Sequence, residues 1–423
     1  MIKITVKLSA LFILANIFSS TSIAVVADKC FMNLPAGCFV NKSVIIPQEQ
    51  TAAIGQKLGG AIKKLSNTYL KVNGSPIQVN ILDAETEQDA IRLKDTISKM
   101  KRHPAFCLRI GNRVIEYVGD DPALAIKTSY ELGFLQKPNE ISYRITADIS
   151  TVDKADYMSF NKLFNLFMTT DRSNPSKEAE SEITTLSKSS QFGSSLTMRS
   201  PDAGKYKAVY KFTPNCRAQQ PAKNDTVTYL FDNPPKSLGV PYVTAVMEIS
   251  TDANGHAPTT QKADTTLLSP TEFWPCNDPE IIALAGGITT GKQTPEEKVQ
   301  AILEWLAPGK NITFGGPVKG SRWGVKKVLA QKFGRCWDFS DCFVTLCRAS
   351  GIPCRQVGGW LYGGSGHIWA EYLDKGKWWK QVDTAGGGKI NCGIYHIAYF
   401  TSETGEMPIL YISMPRVEIV ETK

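Results

Sequence analysis

Apolar and polar positions fall into three textures along the chain. From residue 28 to about 135, Ile54, Leu58, Ile62, Leu65 and Tyr69 recur at helical spacing within AAIGQKLGGAIKKLSNTYL and predict one amphipathic helix there. IQVNIL predicts a strand, and Ala90, Leu93, Ile97 and Met100 mark a second helical face. FCLRI and RVIEYV flank Gly111-Asn112, the pattern of a hairpin. A small α/β unit follows from this order. It carries no constellation that suggests catalysis and reads as a packing or recognition domain.

From 136 to 270 the period shortens to two. ISYRITADIS, KYKAVYKFT, TVTYLF and VTAVMEIS predict strands of a β-rich, sandwich-like domain, interrupted by the polar stretch SNPSKEAESEITTLSKSSQFGSS, read as a long surface loop. At 271–423 a helical texture returns. Thr294, Pro295 and Glu297 form the sequence of a capping box before Val299, Ile302, Leu303 and Leu306, which line one helical face. The fold class expected is therefore α+β, with domains at 28–135, 136–270 and 271–423.

Residues 1–27 stand outside these textures. Lys3 and Lys7, an apolar run from Leu8 to Phe18, and small residues leading to Val25-Val26-Ala27 have the layout of a secretory signal peptide. The apolar run is shorter than the ~20 residues a spanning helix requires. The expectation is an exported protein, periplasmic or extracellular, without a membrane span once the signal is removed. The net charge of +8 is spread along the chain with no dense basic run, which argues against nucleic acid as a partner and leaves an envelope-associated one open.

Ten cysteines in an exported chain predict some disulfides. Cys336, Cys342, Cys347 and Cys354 cluster within GRCWDFSDCFVTLCRASGIPCRQVGGW, and a disulfide knot, a metal site and a nucleophile are all possible meanings of such a cluster. Structural zinc fits poorly, because no C-x-x-C pair occurs anywhere. Phe339, Phe343, Leu346 and Cys347 repeat at helical spacing, so a helix begins at Cys336, with Gly334 breaking the chain before it. Unpaired N–H groups and the dipole at that end favour a thiolate. Cys347 falls on the apolar face and reads as core.

A thiol needs a base, and the base needs an orienting group. Of the four histidines, His367 is singled out by GGSGHIWAEYL, where a glycine-rich loop meets a strand-like run. Asp383 follows on WWKQVDTA. A hairpin loop at Asp374-Lys375-Gly376, with Gly376 left-handed, pairs Leu373 with Lys377 and hence His367 directly with Asp383. A two-residue turn instead sends Asp383 to the opposite face.

These segments, GRCWDFSDCFVTLCRASGIPCRQVGGW, GHIWAEY and WWKQVDTA, occur in the order Cys, His, Asp, and they resemble the core of the transglutaminase-like superfamily of papain-type cysteine enzymes over about residues 277–400. The resemblance implies a papain-like core with Cys336 as nucleophile, His367 as general base and then acid, and Asp383 as the orienting carboxylate. It makes the Cys336 amide the default oxyanion donor and Trp323 in GSRWGVKKVL the nearest candidate for an indole donor, with core packing as the alternative role for that tryptophan. Trp337 and Trp369, which flank the catalytic positions, are assigned to shaping the acyl groove or excluding water.

The reaction implied is attack by Cys336 on a carboxamide of a peptide or protein substrate, passing through a thioester that water or an amine resolves. Two other readings remain: a peptidase or deglycosylating amidase of the same fold, as in peptide N-glycanases, whose paired C-x-x-C motifs are absent here, and a catalytically silent envelope binding protein. No cofactor is expected, because thiol acyl transfer needs none, and no loop has the acidic spacing of an EF-hand calcium site.

Overall fold

A computed structural model describes residues 31, 34, 38–72, 75–154, 157–171, 173–189, 191–192, 209–213, 216–223, 226–231, 235–253, 255–258, 265–317, 322–364, 366–386, 392–406 and 409–423. The signal segment expected at 1–27 lies outside them. The chain is a mixed α+β protein divided into two compact units, residues 1–137 with 362–364, and the remainder.

In the first unit, strands β1 (Cys38–Ile45), β2 (Ile62–Val72), β3 (Ser75–Ala84), β4 (Cys107–Ile110) and β5 (Arg113–Val118) form one sheet in the order β1-β2-β3-β5-β4. Helices α1 (Gln48–Leu58), α2 (Glu87–Lys99) and α3 (Pro122–Glu131) complete it. The single helix expected across 52–70 is two elements. Gly59 takes a left-handed φ of 80° and caps α1, and the apolar residues that continued the helical period enter β2. Leu65, Ser66, Asn67 and Thr68 are all buried in a row there, which a strand covered on both faces permits and a surface helix does not. Helix α2 and the β4–β5 hairpin lie where the pattern predicts them, the helix capped by the Thr86 side chain accepting from the Asp89 amide at 3.1 Å.

The second unit holds two larger sheets. In the first, β6 (Glu140–Lys154), β7 (Val209–Thr213), β8 (Val243–Asp252), β14 (Ile409–Tyr411) and β15 (Arg416–Thr422) assemble in the order β14-β6-β8-β7, with β15 also paired to β6. Strands from both ends of the unit's sequence therefore share one sheet. Two helices, α4 (Tyr157–Thr169) and α5 (Lys177–Ser189), arise within the stretch read as strands and a polar loop. Leu163, Phe167 and Ile183 bury themselves with Leu410 and Ile412, so a sparse apolar stripe sufficed to dock helices where polar composition suggested a loop.

The second sheet positions the candidate site. Its strands are β9 (His256–Pro258), β10 (Cys354–Leu361), β11 (Gly366–Asp374), β12 (Trp378–Val382) and β13 (His396–Ser402), in the order β9-β12-β11-β10-β13, with its neighbouring strands antiparallel. Helices α6 (Pro279–Thr289), α7 (Pro295–Leu306), α8 (Val325–Gln331) and α9 (Cys336–Ala349) accompany it. The capping box of α7 forms as expected: Thr294 Oγ1 accepts from the Glu297 amide at 3.2 Å, and Glu297 accepts from the Thr294 amide at 2.9 Å. Val299, Ile302, Leu303 and Leu306 then pack with Phe339, Phe343, Leu346, Ala370 and Tyr372 in one core.

Helix α9 is fixed to this sheet by buried polar contacts as well as by its apolar face. Ser340 Oγ donates to the Trp369 carbonyl of β11 at 2.8 Å. The Asp341 carboxylate accepts from Arg322 at 2.6 and 2.7 Å, from the Trp274 indole at 2.9 Å and from Gln356 of β10 at 2.8 Å. Arg348 reaches the Cys354 carbonyl at 2.8 Å. A helix held at several turns by charged hydrogen bonds has one seating on its sheet, which fixes where its first residue lies.

Candidate active site

Cys336 is the first residue of α9, as its spacing predicts. Arg335, the residue before it, gives the helix no side-chain cap, so the dipole and the N–H groups of the first turn act at the thiol. The carboxylate of Asp338 tightens this end. Its Oδ2 accepts from the Arg335 amide at 2.9 Å and its Oδ1 from the Trp323 amide at 2.7 Å, although Asp338 is fully buried. One side chain thus ties the segment carrying Trp323 to the turn carrying Cys336. Gly334 leaves room for it: a Cβ there would come within 2.6 Å of the Asp338 Cβ.

Sequence reasoning singled out neither Asp338 nor Arg322. The signal available was an acidic residue at the third position of a helix, a capping pattern.

His367 and Asp383 meet, but through a different register from the one expected. Asp374 pairs with Trp378, Leu373 with Trp379 and Ala370 with Val382, so the loop is Lys375-Gly376-Lys377, and Asp374 belongs to the ladder. Lys375 and Gly376 both adopt left-handed φ, 51° and 66°, and the three-residue loop sits one residue further along the chain, so that Asp374 joins the ladder and Lys377 leaves it. Each residue of β12 is therefore displaced by two positions relative to the expected pairing. A shift of two preserves the face, and Asp383, just past the end of β12, still presents its carboxylate to His367. His367 Nε2 lies 3.1 Å from Asp383 Oδ1.

Cys336 lies close enough to His367 for its sulfur to favour the charged imidazole. Burial pushes the imidazole toward neutrality, but the Asp383 carboxylate and then Cys336 outweigh it and raise the His367 pKa to about 10. Burial likewise works against the Asp383 carboxylate, and His367 followed by His396 overcomes it, holding Asp383 well below the usual carboxylate range. The imidazole is thus a cation over the neutral range, set between a carboxylate and a sulfur at a helix N-terminus. That arrangement can stabilise a thiolate and then supply a proton to a leaving group.

His396, the first residue of β13, joins the same carboxylate, with Nε2 3.0 Å from Asp383 Oδ2. The pattern held a signal for it. His396-Ile-Ala opens a strand-like run as His367-Ile-Trp does. Donor atoms of His367, Asp383 and His396 all lie within 4.8 Å of one another, so geometry alone admits a metal. Both His367 and His396 already direct Nε2 at the carboxylate, and His367 holds its proton up to about pH 10 where a metal would need its lone pair.

The three tryptophans named from the resemblance take different positions. Trp323 is partly buried, Lys327 lies over its ring at 4.3 Å, and its buried indole N–H has no hydrogen-bond acceptor among the described residues. Trp337 is buried beneath the Arg322 guanidinium, 4.8 Å away. Trp369 is fully buried and stacks on His367, ring centroids 5.9 Å apart, so it backs the imidazole and does not face a groove. Gly359 makes this possible, since a Cβ there would fall 2.1 Å from the Trp369 ring.

Cys342, Cys347 and Cys354 are fully buried, and burial raises the thiol pKa of Cys342 and of Cys347 well above the ordinary value. Cys38, Cys107, Cys276, Cys336, Cys342, Cys347 and Cys354 are free thiols, so none of these seven forms one of the expected disulfides. Cys336 is the partly exposed member of the cluster.

Residues 282–384 match the family model of the transglutaminase-like superfamily. Annulin of Schistocerca americana is 30% identical over 91 residues, 19% of this chain and 11% of annulin, so the chain spans a small part of that relative's length. Among solved structures, a proposed cysteine protease from Cytophaga hutchinsonii superposes with a TM-score of 0.39 and 12% identity, covering 68% of this chain and 93% of its own. The periplasmic domain of TgpA from Pseudomonas aeruginosa gives a TM-score of 0.30 and 14% identity, covering 59% and 88%.

Proposed function

Given that residues 282–384 form a transglutaminase-like core, we propose that the chain is a cysteine acyltransferase or amide hydrolase acting on carboxamides of peptide or protein substrates. Cys336 is the nucleophile, His367 the general base and acid, and Asp383 the residue that holds His367. The observation that carries this reading is the imidazole itself, 3.1 Å from the Asp383 carboxylate and near enough to Cys336 for both to raise its pKa.

In the reaction, Cys336 Sγ adds to the carboxamide carbon. The oxygen becomes an oxyanion, for which the Cys336 amide and the unclaimed Trp323 indole N–H are the donors. His367 gives its proton to the departing nitrogen, which leaves as ammonia or an amine, and a thioester remains on Cys336. The neutral imidazole then takes a proton from water or from an incoming amine as it attacks the thioester, which yields an acid or a new amide and returns the thiolate–imidazolium pair.

Trp369 behind His367 keeps water from that side of the ring. The layout of residues 1–27 supports action outside the cytoplasm, on envelope or extracellular proteins. No helix among the described residues is long and apolar enough to cross a membrane.

The test is ammonia release from glutamine-containing peptides, with and without an added primary amine, alongside cleavage of the same peptides followed by mass spectrometry. Ammonia release abolished by Cys336→Ala supports the reading, and the amine's incorporation separates transfer from hydrolysis. Peptide-bond cleavage without ammonia release identifies a peptidase. Absence of all three would leave the binding-protein reading.

A further inference from the structure

The Asp383 carboxylate is shared. Oδ1 accepts from His367 and, at 3.1 Å, from the Ala385 amide, while Oδ2 accepts from His396 at 3.0 Å. His396 comes from β13, an edge strand of the sheet, and lies outside the matched range 282–384. It is largely buried, with 12% of its side chain exposed. Its ring meets the Trp369 ring edge-on, 5.2 Å between centroids and 81° between planes, and Trp369 in turn stacks on His367 at 26°. His396 therefore touches both supports of His367, the carboxylate and the indole. Asp383 needs such support because it sits beyond the last paired residue of β12, where the ladder no longer fixes the backbone.

We infer that His396 is a positioning residue for the candidate active site: by donating to Oδ2 it sets the rotation of the Asp383 carboxylate so that Oδ1 faces His367. The inference rests on the assignment of Cys336, His367 and Asp383 as the reacting group. A buried histidine that merely satisfied its own polar atoms would place no demand on the geometry of Asp383. A positioning residue requires a donor at the location of Nε2.

Glutamine and asparagine separate these roles. The terminal amide of glutamine reaches the position of Nε2, whereas that of asparagine stops near Nδ1. Both are polar and of similar size to one another. The experiment compares the rate of iodoacetamide alkylation of Cys336 from pH 5 to 10 in the full chain for wild type, His396→Gln, His396→Asn and His367→Ala, with urea unfolding of each to normalise for folded protein.

The expected result is a slowing of up to about 100-fold in His396→Asn at neutral pH, the scale of a misplaced reacting group, with His396→Gln close to wild type. Equal rates for the two variants, whether fast or slow, would overturn the positioning role. Wild-type reactivity in His367→Ala would instead overturn the assignment of the reacting group on which the inference depends.

Discussion

His367 and Asp383 are hydrogen-bonded at 3.1 Å without being partners across the β11–β12 hairpin. The register aligns Asp383 with Trp369, two residues along from His367, and the shared face of the sheet brings the side chains together. Because the carboxylate raises the imidazole pKa to about 10, Asp383→Asn should move the alkaline limb of kcat/KM down from near 10 toward the ordinary 6.5. The rate should fall by an amount on the order of the 10²–10⁴-fold that general acid–base catalysis contributes. A pH–rate profile of the variant measures both.

The same pair makes stability depend on pH. His367 titrates higher in the folded chain than in the unfolded one, so its contribution is complete below pH 6.5 and is lost as pH rises toward about 10. Asp383 titrates lower when folded, so its contribution is complete above pH 3.8 and is lost as pH falls below that value. These are two views of one interaction. The difference in urea midpoint between wild type and Asp383→Asn should therefore be largest between pH 3.8 and 6.5 and shrink on either side.

Trp323→Phe should keep the ring and remove the indole N–H. If that N–H stabilises the oxyanion, kcat falls by about 10²–10³-fold with little change in KM. Asp338→Asn offers one acceptor oxygen to two backbone amides, and should lose about 1–3 kcal/mol of stability together with part of the Trp323 effect. Steady-state kinetics and urea unfolding of both variants test the coupling.

Arg322 and Asp341 form a fully enclosed ion pair with contacts at 2.6 and 2.7 Å. Arg322→Met should cost about 3–5 kcal/mol, because it strands a buried carboxylate. The double variant Arg322→Met/Asp341→Leu should be more stable than Arg322→Met alone. Equilibrium unfolding of the single and double variants decides this.

Local signals in the sequence located most of the elements that carry the site. The Thr294–Glu297 box, the apolar spacing that starts α9 at Cys336 and the strand-like runs around His367 and Asp383 each express physics confined to a few neighbouring residues. What was not legible depends on partners distant in sequence. The turn conformation of Lys375 and Gly376 set the register of β12, the left-handed Gly59 ended α1, and docking against residues near 410 turned a polar stretch into α5. His396 and Asp338 escaped notice for the same reason. Each left a local signal, a histidine opening a strand-like run and an acidic residue in a helix's first turn, but its partner, Asp383 or Trp323, is one that no local pattern pairs with it.

The central claim is that Cys336 is the nucleophile and that His367 activates it. It is tested most directly by mass spectrometry of the purified protein after brief iodoacetamide labelling without reductant, comparing wild type with His367→Ala. Fast alkylation confined to Cys336 in wild type, slowed in His367→Ala, is the result predicted. Cys336 labelled no faster than the buried cysteines, or equally fast in both proteins, would contradict it.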